Sequence, residues 1–271
     1  MITSMTIVDQ LIGNAPFICE GNFAEGIARA AKLGYDGVEI HVTDPSDLDV
    51  PMLKEALETH NMMVTAFGTG RAYVNEGLSL IDPDMQRRES AVARMDQFLE
   101  LGGQFGAKVI VGCMRGNISE EGELPDALDR LAGSMRHVDQ TAGDNGVTVV
   151  FEPINRYENN FLCDMASVSS FIRERGLSNT GMLMDTFHMN IEEADITASI
   201  RQCAPEIQYV HIADSNRRYP GAGHTDFLSI LRTLREIGYE GALSAEILPY
   251  PDLEGAQEAW ISAVKQLLSE I

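Results

Sequence analysis

Residues 151–158 read FEPINRYE, and this stretch decides the fold. It begins at the end of an apolar segment, TVV at residues 148–150, which is typical of a buried strand. Glu152 stands where that strand is predicted to end, and a second acid, Glu158, follows six residues later. An acid directly after an apolar strand is a pattern that recurs in the rest of the chain.

Three later apolar segments also end in a polar side chain that can take part in chemistry. GMLMD ends in Asp185, IQYVH ends in His211, and ALSAE ends in Glu246. The successive separations, starting from Glu152, are 33, 26 and 35 residues. A (β/α)₈ barrel uses about 31 residues for each strand–helix unit. The spacing therefore predicts four consecutive barrel strands that present these side chains at one rim.

The whole chain reads as eight strands that alternate with eight helices, which predicts an α/β protein with parallel strands and right-handed crossovers. No linker or change in composition divides the chain, so we expect one TIM-barrel domain over residues 1–271. An open, doubly wound sheet would also alternate. The closed barrel is favoured because it brings four consecutive strand ends around one mouth. Residues 68–84 and 114–125 are predicted to be long polar loops.

The four strand-end residues have the composition of a metal site. Three carboxylates and one imidazole suit Mn²⁺, Mg²⁺ or Co²⁺. Carboxylates that converge repel one another, and a divalent cation removes that repulsion. The alternative interpretation is that each acid caps the helix that follows its strand. That alternative is reasonable for one acid but not for four consecutive strands. The predicted ligands are Glu152, Asp185, His211 and Glu246.

Three more polar residues lie close to these positions in the sequence. His188 follows Asp185 by three residues, and it either contacts a substrate oxygen or packs in the loop. Arg217 follows His211 by six residues and is adjacent to Arg218, so charge alone does not choose between the two arginines. An arginine in an acidic site can balance carboxylates or bind a ligand oxygen. Glu158 is the third candidate for substrate binding.

Composition excludes several classes of protein. The net charge of −21, from 41 acids and 20 bases, disfavours nucleic-acid binding. The four cysteines form no CxxC pair, which predicts free thiols in a reducing compartment. No apolar run is long enough to span a membrane, and we expect a cytoplasmic protein. Phosphate-loop and nucleophile-elbow motifs are absent from the sequence.

Four blocks of sequence resemble a known superfamily. FEPINRYENNF, LMDTFHMNIEE, VHIADSNRRYPGAGHTDF and SAEIL are similar to the xylose-isomerase-like TIM barrels, and among these to the ketose 3-epimerases of the D-tagatose and D-psicose type. The segment GTGRAYVNEGLSLIDPD adds a resemblance to the 5-keto-L-gluconate epimerases of the same group. The resemblance covers about residues 25–250.

The resemblance implies roles for individual residues. Glu152, Asp185, His211 and Glu246 would bind one divalent metal, with Mn²⁺ expected and Mg²⁺, Co²⁺ or Zn²⁺ as alternatives. Glu152 and Glu246 would also form the acid/base pair. Glu158, His188 and Arg217 would contact a small keto-sugar or keto-sugar acid. The expected assembly is a homodimer or homotetramer, with no nucleic-acid or membrane partner.

These residues suggest an epimerase that removes and returns a proton beside a ketone through an enediolate. Inversion requires carboxylates on both faces of the substrate, because a single base would return the proton to the face it left. Two other enzymes on the same barrel, an aldose–ketose isomerase and an inosose dehydratase, could use the same groups. A metal-dependent AP endonuclease and a non-catalytic sugar-binding barrel are further alternatives.

Overall fold

The computed structural model describes residues 1–119 and 123–271. Part of the predicted polar loop at 114–125, namely residues 120–122, therefore lies outside the described residues. Nine strands are present in the described part of the chain. They are β1 (Ile2–Val8), β2 (Cys19–Glu20), β3 (Gly37–His41), β4 (Met63–Gly68), β5 (Lys108–Val111), β6 (Val149–Phe151), β7 (Thr180–Asp185), β8 (Ile207–His211) and β9 (Ala242–Ala245).

Ten α-helices and two short 3₁₀ segments connect the strands within the same described ranges. The 3₁₀ segments are Pro45–Asp47 and Cys113–Arg115. The helices are α1 (Phe23–Leu33), α2 (Val50–His60), α3 (Gly70–Glu76), α4 (Met85–Phe105), α5 (Leu124–Asn145), α6 (Met165–Arg175), α7 (Thr186–Glu192), α8 (Ile196–Gln202), α9 (Phe227–Glu236) and α10 (Leu253–Ser269).

The strands form one parallel sheet in the order β2-β1-β3-β4-β5-β6-β7-β8-β9. Strand β1 also pairs with β9, with Ile2 opposite Ala242 and Met5 opposite Ala245, and this pairing closes the sheet. The short strand β2 pairs in parallel with the last two residues of β1, and it lies outside the eight-strand ring. The predicted closed (β/α)₈ barrel is therefore confirmed, and the open doubly wound sheet is excluded.

Two helices were not expected from the sequence. Helix α3 lies inside the predicted loop at 68–84, and α7 follows β7 directly. Each has only seven residues, and the residue before α3, Thr69, makes no side-chain capping hydrogen bond. A helix so short is not stable alone and depends on tertiary packing. Tertiary packing, rather than a periodic pattern of apolar residues, therefore supports these two helices.

The chain divides into two compact units. The first contains Met1–Ile40, Asp49–Thr65 and Met184–Ile271, and the second contains His41–Leu48 and Ala66–Leu183. Three of the four boundaries fall inside strands β3, β4 and β7, and the fourth lies between the 3₁₀ segment Pro45–Asp47 and α2. The expectation of one domain over residues 1–271 stays a prediction.

The first unit is organised around Trp260 on α10, which is fully buried. Its ring stacks on Tyr35 with 5.6 Å between centroids, and its indole Nε1–H donates to the Ile212 carbonyl at 2.7 Å. A buried tryptophan needs such a partner for its polar edge. These contacts fasten the C-terminal helix to the segment that follows β8.

The second unit contains a buried acid, Asp139 on α5, that fixes the beginning of β7. Its carboxylate accepts the Asn179 N–H at 2.8 Å, the Ser178 N–H at 3.2 Å and the Thr180 hydroxyl at 2.7 Å. Buried backbone donors need such acceptors, because leaving them without partners costs free energy. Asp139 therefore joins a helix to a strand by polar contacts at a buried position.

We predict that Asp139→Ala lowers the free energy of unfolding by about 2–4 kcal/mol, because it leaves two part-buried backbone N–H groups and the buried Thr180 hydroxyl without this acceptor. Asp144→Ala is the matched control, since Asp144 is exposed on the same helix and accepts only from Gln140 at 3.2 Å. The control should change stability by less than about 0.5 kcal/mol. Urea unfolding followed by circular dichroism measures both. Equal effects of the two substitutions would contradict the role given to Asp139.

Candidate metal centre and catalytic site

The four predicted metal ligands stand at equivalent points of consecutive strands. Asp185 and His211 are the last residues of β7 and β8, whereas Glu152 and Glu246 directly follow β6 and β9. Each offers one ligand atom, and these four atoms lie within 4.8 Å of one another. All four residues are buried. The structure thus brings together the four residues that the sequence predicted as one group.

The orientation of the His211 ring is set by hydrogen bonding on its far side. Its Nε2 lies 3.1 and 3.2 Å from the two carboxylate oxygens of Glu39, so Nε2–H donates to that acid. Its Nδ1 lies 3.6 Å from Oδ2 of Asp185 and 3.6 Å from Oε2 of Glu246. A carboxylate that holds one ring nitrogen fixes the tautomer and leaves the other nitrogen to bind a metal.

Glu39 is a functional residue that the sequence reasoning missed. It is fully buried on β3 and accepts a second hydrogen bond, from the Tyr209 hydroxyl at 2.9 Å. That hydroxyl also lies 2.7 Å from the Thr65 hydroxyl. The available signal was an acid inside the apolar strand GVEIH, because a fully buried acid is rare unless it is paired.

The charges around His211 shift its pKa. Burial by itself would lower the pKa of His211, but the nearby carboxylates of Glu39, Glu246 and Asp185 raise it well above its ordinary value. Burial, supported by the Glu39 charge, raises the pKa of Tyr209 well above its ordinary value as well. The site therefore attracts positive charge strongly, whether that charge is a proton or a metal ion.

Asp185 both caps a helix and belongs to the ligand group. Its Oδ1 accepts the Phe187 N–H at 2.7 Å and so caps α7. Its Oδ2 is buried and makes no hydrogen bond. A buried carboxylate oxygen in that state calls for a positive partner. Three carboxylates, of which Asp185 contributes this oxygen, and one imidazole fit a hard divalent cation, so the residues present suit the metal that the resemblance implies.

Glu152 lies against a glycine that follows the neighbouring strand β5. A Cβ atom on Gly112 would stand 2.5 Å from Oε2 of Glu152, which is closer than real Cβ contacts allow. A side chain at position 112 would therefore displace the carboxylate. Farther along this loop, the exposed Glu158 accepts a hydrogen bond from Asn155 at 3.0 Å.

The structure distinguishes the two adjacent arginines, between which charge alone does not choose. Arg217 has a left-handed backbone, with φ of 58°, and its Nη2 donates to Oε2 of Glu246 at 3.0 Å. Its guanidinium lies 4.7 Å from the centre of the Phe187 ring. Arg218 instead stacks on Tyr250 at 3.5 Å. Arg217 is therefore the arginine that reaches the ligand group.

The loop that carries Arg217 is held by Asp214. This buried carboxylate accepts the backbone N–H groups of Gly221 and Gly223 at 2.8 Å and of Thr225 at 3.1 Å. Burial alone would raise the pKa of Asp214, but these backbone donors outweigh it and the pKa lies below its usual value. Asp214 thus keeps a charge that several backbone dipoles stabilise, and the loop has one defined shape.

His188 is 2% exposed, and its Nε2 lies 3.9 Å from Oδ2 of Asp185. That distance is too long for a hydrogen bond. Its ring tilts against Phe187 with 5.3 Å between centroids. His188 and Arg217 thus stand beside the predicted ligands Asp185 and Glu246, whereas the contact described for the Glu158 side chain is with Asn155.

Two expectations drawn from composition can be compared with the structure. Cys19 and Cys203 are buried, whereas Cys113 and Cys163 are half-buried, and the expectation of free thiols stays a prediction. Among the described residues, no helix is both long enough and apolar enough to cross a lipid bilayer.

Comparison with known proteins gives consistent results. The family model described as "Xylose isomerase-like TIM barrel" matches residues 27–268. An L-ribulose 3-epimerase of Methylomonas sp. is 32% identical over 230 residues, which are 82% of this chain and 77% of that protein. A ketose 3-epimerase of Arthrobacter globiformis is 32% identical over 250 residues, which are 87% of this chain and 82% of that protein.

A solved structure of L-ribulose 3-epimerase aligns with a TM-score of 0.82 at 27% identity, covering 98% of this chain and 94% of that one. A D-psicose 3-epimerase crystallised in the presence of D-fructose aligns with a TM-score of 0.83, covering 98% of both chains. Its identity of 21% supports the fold alone. The family match over most of the chain, together with the closed barrel, shows that this protein belongs to the xylose-isomerase-like TIM-barrel family.

Proposed function

We propose that this protein is a divalent-metal-dependent epimerase of a ketose or keto-sugar acid. The observation that carries the proposal is the buried group of three carboxylates and one histidine, whose ligand atoms lie within 4.8 Å of one another. Relatives at 32–33% identity that bear the names of ketose epimerases support the same reaction class. The protein is accordingly an isomerase that acts on carbohydrate.

The proposed reaction assigns proton transfer to two glutamates. One of Glu152 and Glu246 removes the proton from the carbon beside the ketone, and the other returns a proton from the opposite face. Strands β6 and β9 are three positions apart in a ring of eight, which supports placing the two carboxylates on opposite sides of a substrate. Each acid–base group contributes roughly 10²–10⁴-fold to the rate.

The remaining residues hold the ligands and the substrate in place. Glu39 keeps the His211 ring oriented, and Arg217 keeps the Glu246 carboxylate oriented through its 3.0 Å hydrogen bond. Arg217, His188 and Glu158 bind substrate oxygens in the proposal. A bound divalent ion would supply positive charge that stabilises the enediolate.

We assign Mn²⁺ as the native ion, with Mg²⁺, Co²⁺ and Zn²⁺ as alternatives. A group with three oxygen ligands and one nitrogen ligand supports a hard or borderline ion. The homo-oligomer, either a dimer or a tetramer, and the cytoplasmic location also stay predictions.

The rival functions are less well supported. An AP endonuclease would need to attract a polyanion, which the net charge of −21 opposes. It would also need several histidines around more than one zinc, whereas His211 is the one histidine in the ligand group found among the described residues. A sugar-binding barrel would not require two glutamates for proton transfer. An aldose–ketose isomerase or an inosose dehydratase could use the same residues, and product analysis separates them from an epimerase.

The decisive experiment is a panel of ketoses and keto-sugar acids incubated with the Mn²⁺-loaded protein in D₂O. We expect one ketose to convert to its epimer, with deuterium at the inverted carbon and the ketone retained in the NMR spectrum. EDTA should abolish turnover, and Mn²⁺ should restore it.

Metal binding should also weaken as the pH falls. The elevated pKa of His211 means that protons compete with the ion for Nδ1 under increasingly acidic conditions.

In the D₂O experiment, an aldehyde product would favour the isomerase, and full turnover in the presence of EDTA would exclude the proposed mechanism.

We predict that Glu152→Gln and Glu246→Gln each reduce turnover by at least ~10²-fold, because each loses a carboxylate base. The assays need excess metal, since both residues are proposed ligands. Each variant should still exchange the proton of one epimer with D₂O without inverting the sugar. Glu174→Gln is the matched control, because it neutralises an exposed acid on α6 outside the ligand group. Near-normal inversion by both variants would rule out the two-base mechanism.

We predict that Arg217→Ala, His188→Ala and Glu158→Ala raise KM or lower kcat while metal content stays normal. Arg217→Lys should recover only part of the loss, because lysine lacks the planar fork that both stacks on Phe187 and donates to Glu246. Arg218→Ala serves as the control, since that side chain stacks on Tyr250 instead. Unchanged kinetics in all three alanine variants would remove these residues from the substrate site.

A further inference from the structure

Arg115 is a buried cation that the proposed mechanism does not use. It ends the short 3₁₀ segment after β5, and its side chain is fully inaccessible to solvent. One guanidinium nitrogen, Nη1, donates to the Leu162 carbonyl at 2.9 Å, whereas Nε and Nη2 have no hydrogen-bond partner. The guanidinium carbon lies 5.4 Å from the Phe151 ring centre and 5.5 Å from that of Phe161.

This arrangement is unfavourable for stability alone. A guanidinium carries five N–H donors, and here most of them are buried without an acceptor. An apolar side chain of similar volume would fill the same space between two aromatic rings without that penalty. Burial lowers the pKa of Arg115 to about 10, against the opposing effects of Cys163, Glu152 and Cys113, so the group is still positively charged at neutral pH.

The charge of Arg115 lies near one of the proposed metal ligands. Glu152 directly follows Phe151, one of the two rings that contact the guanidinium. The Glu152 carboxylate also rests against Gly112, whose carbonyl accepts the Arg115 backbone N–H at 3.1 Å. The Arg115 side chain makes no hydrogen bond to Glu152 and therefore acts on it through charge.

We propose that Arg115 is a positioning residue that holds a fixed positive charge behind Glu152 and thereby limits how tightly the ligand group binds a divalent cation. The inference rests on the proposed function. Without this charge, three carboxylates and one imidazole would bind the cation so tightly that Glu152 could not also transfer a proton. The same charge favours the negative charge that develops on the substrate in the transition state.

Removal of the positive charge of Arg115 is predicted to strengthen metal binding. Arg115→Gln keeps a donor for the Leu162 carbonyl but removes the charge, so it should bind Mn²⁺ about 3–30-fold more tightly. The same variant should turn over more slowly. Arg115→Lys keeps the charge and should bind Mn²⁺ within about threefold of the unmodified protein. Mn²⁺ titration of the metal-free full-length protein, followed by electron paramagnetic resonance, measures these affinities.

Two controls separate charge from packing. Phe161→Leu removes one ring beside the guanidinium without changing charge, so Mn²⁺ affinity should stay the same or fall. Arg94→Met removes a positive charge from an arginine on α4 that pairs with Asp44 at 2.7 Å and Glu76 at 3.1 Å. Arg94→Met should leave Mn²⁺ affinity unchanged. Thermal unfolding shows which variants are folded, and Arg115→Met replaces Arg115→Gln if the latter is not.

The outcomes distinguish this inference from the proposed function. A folded Arg115→Gln that binds Mn²⁺ with unchanged or weaker affinity overturns the role of Arg115 and leaves the epimerase proposal standing. Tighter binding in Phe161→Leu or Arg94→Met would also overturn it. If the unmodified protein binds no divalent metal, the proposed function fails first, and the inference about Arg115 fails with it.

Discussion

The repulsion among Glu152, Asp185 and Glu246 is the constraint on which the rest of the site depends. Three buried carboxylates whose ligand atoms lie within 4.8 Å of one another are costly unless positive charge stands among them. His211 supplies part of that charge when it is protonated, and its raised pKa reflects the same field. A divalent cation held by these four residues would offset the repulsion more completely, since it carries two charges.

Surrounding residues fix the geometry of this group without belonging to it. Glu39 orients the imidazole of His211, and Tyr209 and Thr65 extend that buried hydrogen-bonded network. Arg217 contacts Glu246, and its loop is folded around Asp214. Each of these partners acts on a ligand or its loop through a directional hydrogen bond, so a small displacement of one partner moves a ligand.

Several features were predictable because they are local or periodic. Strand-end residues spaced by about one strand–helix unit identified the four residues that the structure brings together. Other features were hidden for physical reasons. Helices α3 and α7 are too short to show a period, and Glu39 looked like one more acid in a sequence that contains 41. Charge alone could not show which of Arg217 and Arg218 reaches Glu246. Arg217 does so from a left-handed backbone, which no sequence pattern predicts.

The sequence by itself determined the alternation of strands and helices, the closed barrel and the four residues at its strand ends. It could do so because each of these depends on residue type and spacing along one chain. The tertiary structure alone decided that Glu39 holds His211, that Arg217 rather than Arg218 reaches Glu246, and that Arg115 is buried against the Phe151 and Phe161 rings. These contacts join residues that are up to 172 positions apart, and only the folded backbone decides which side chains meet over such separations.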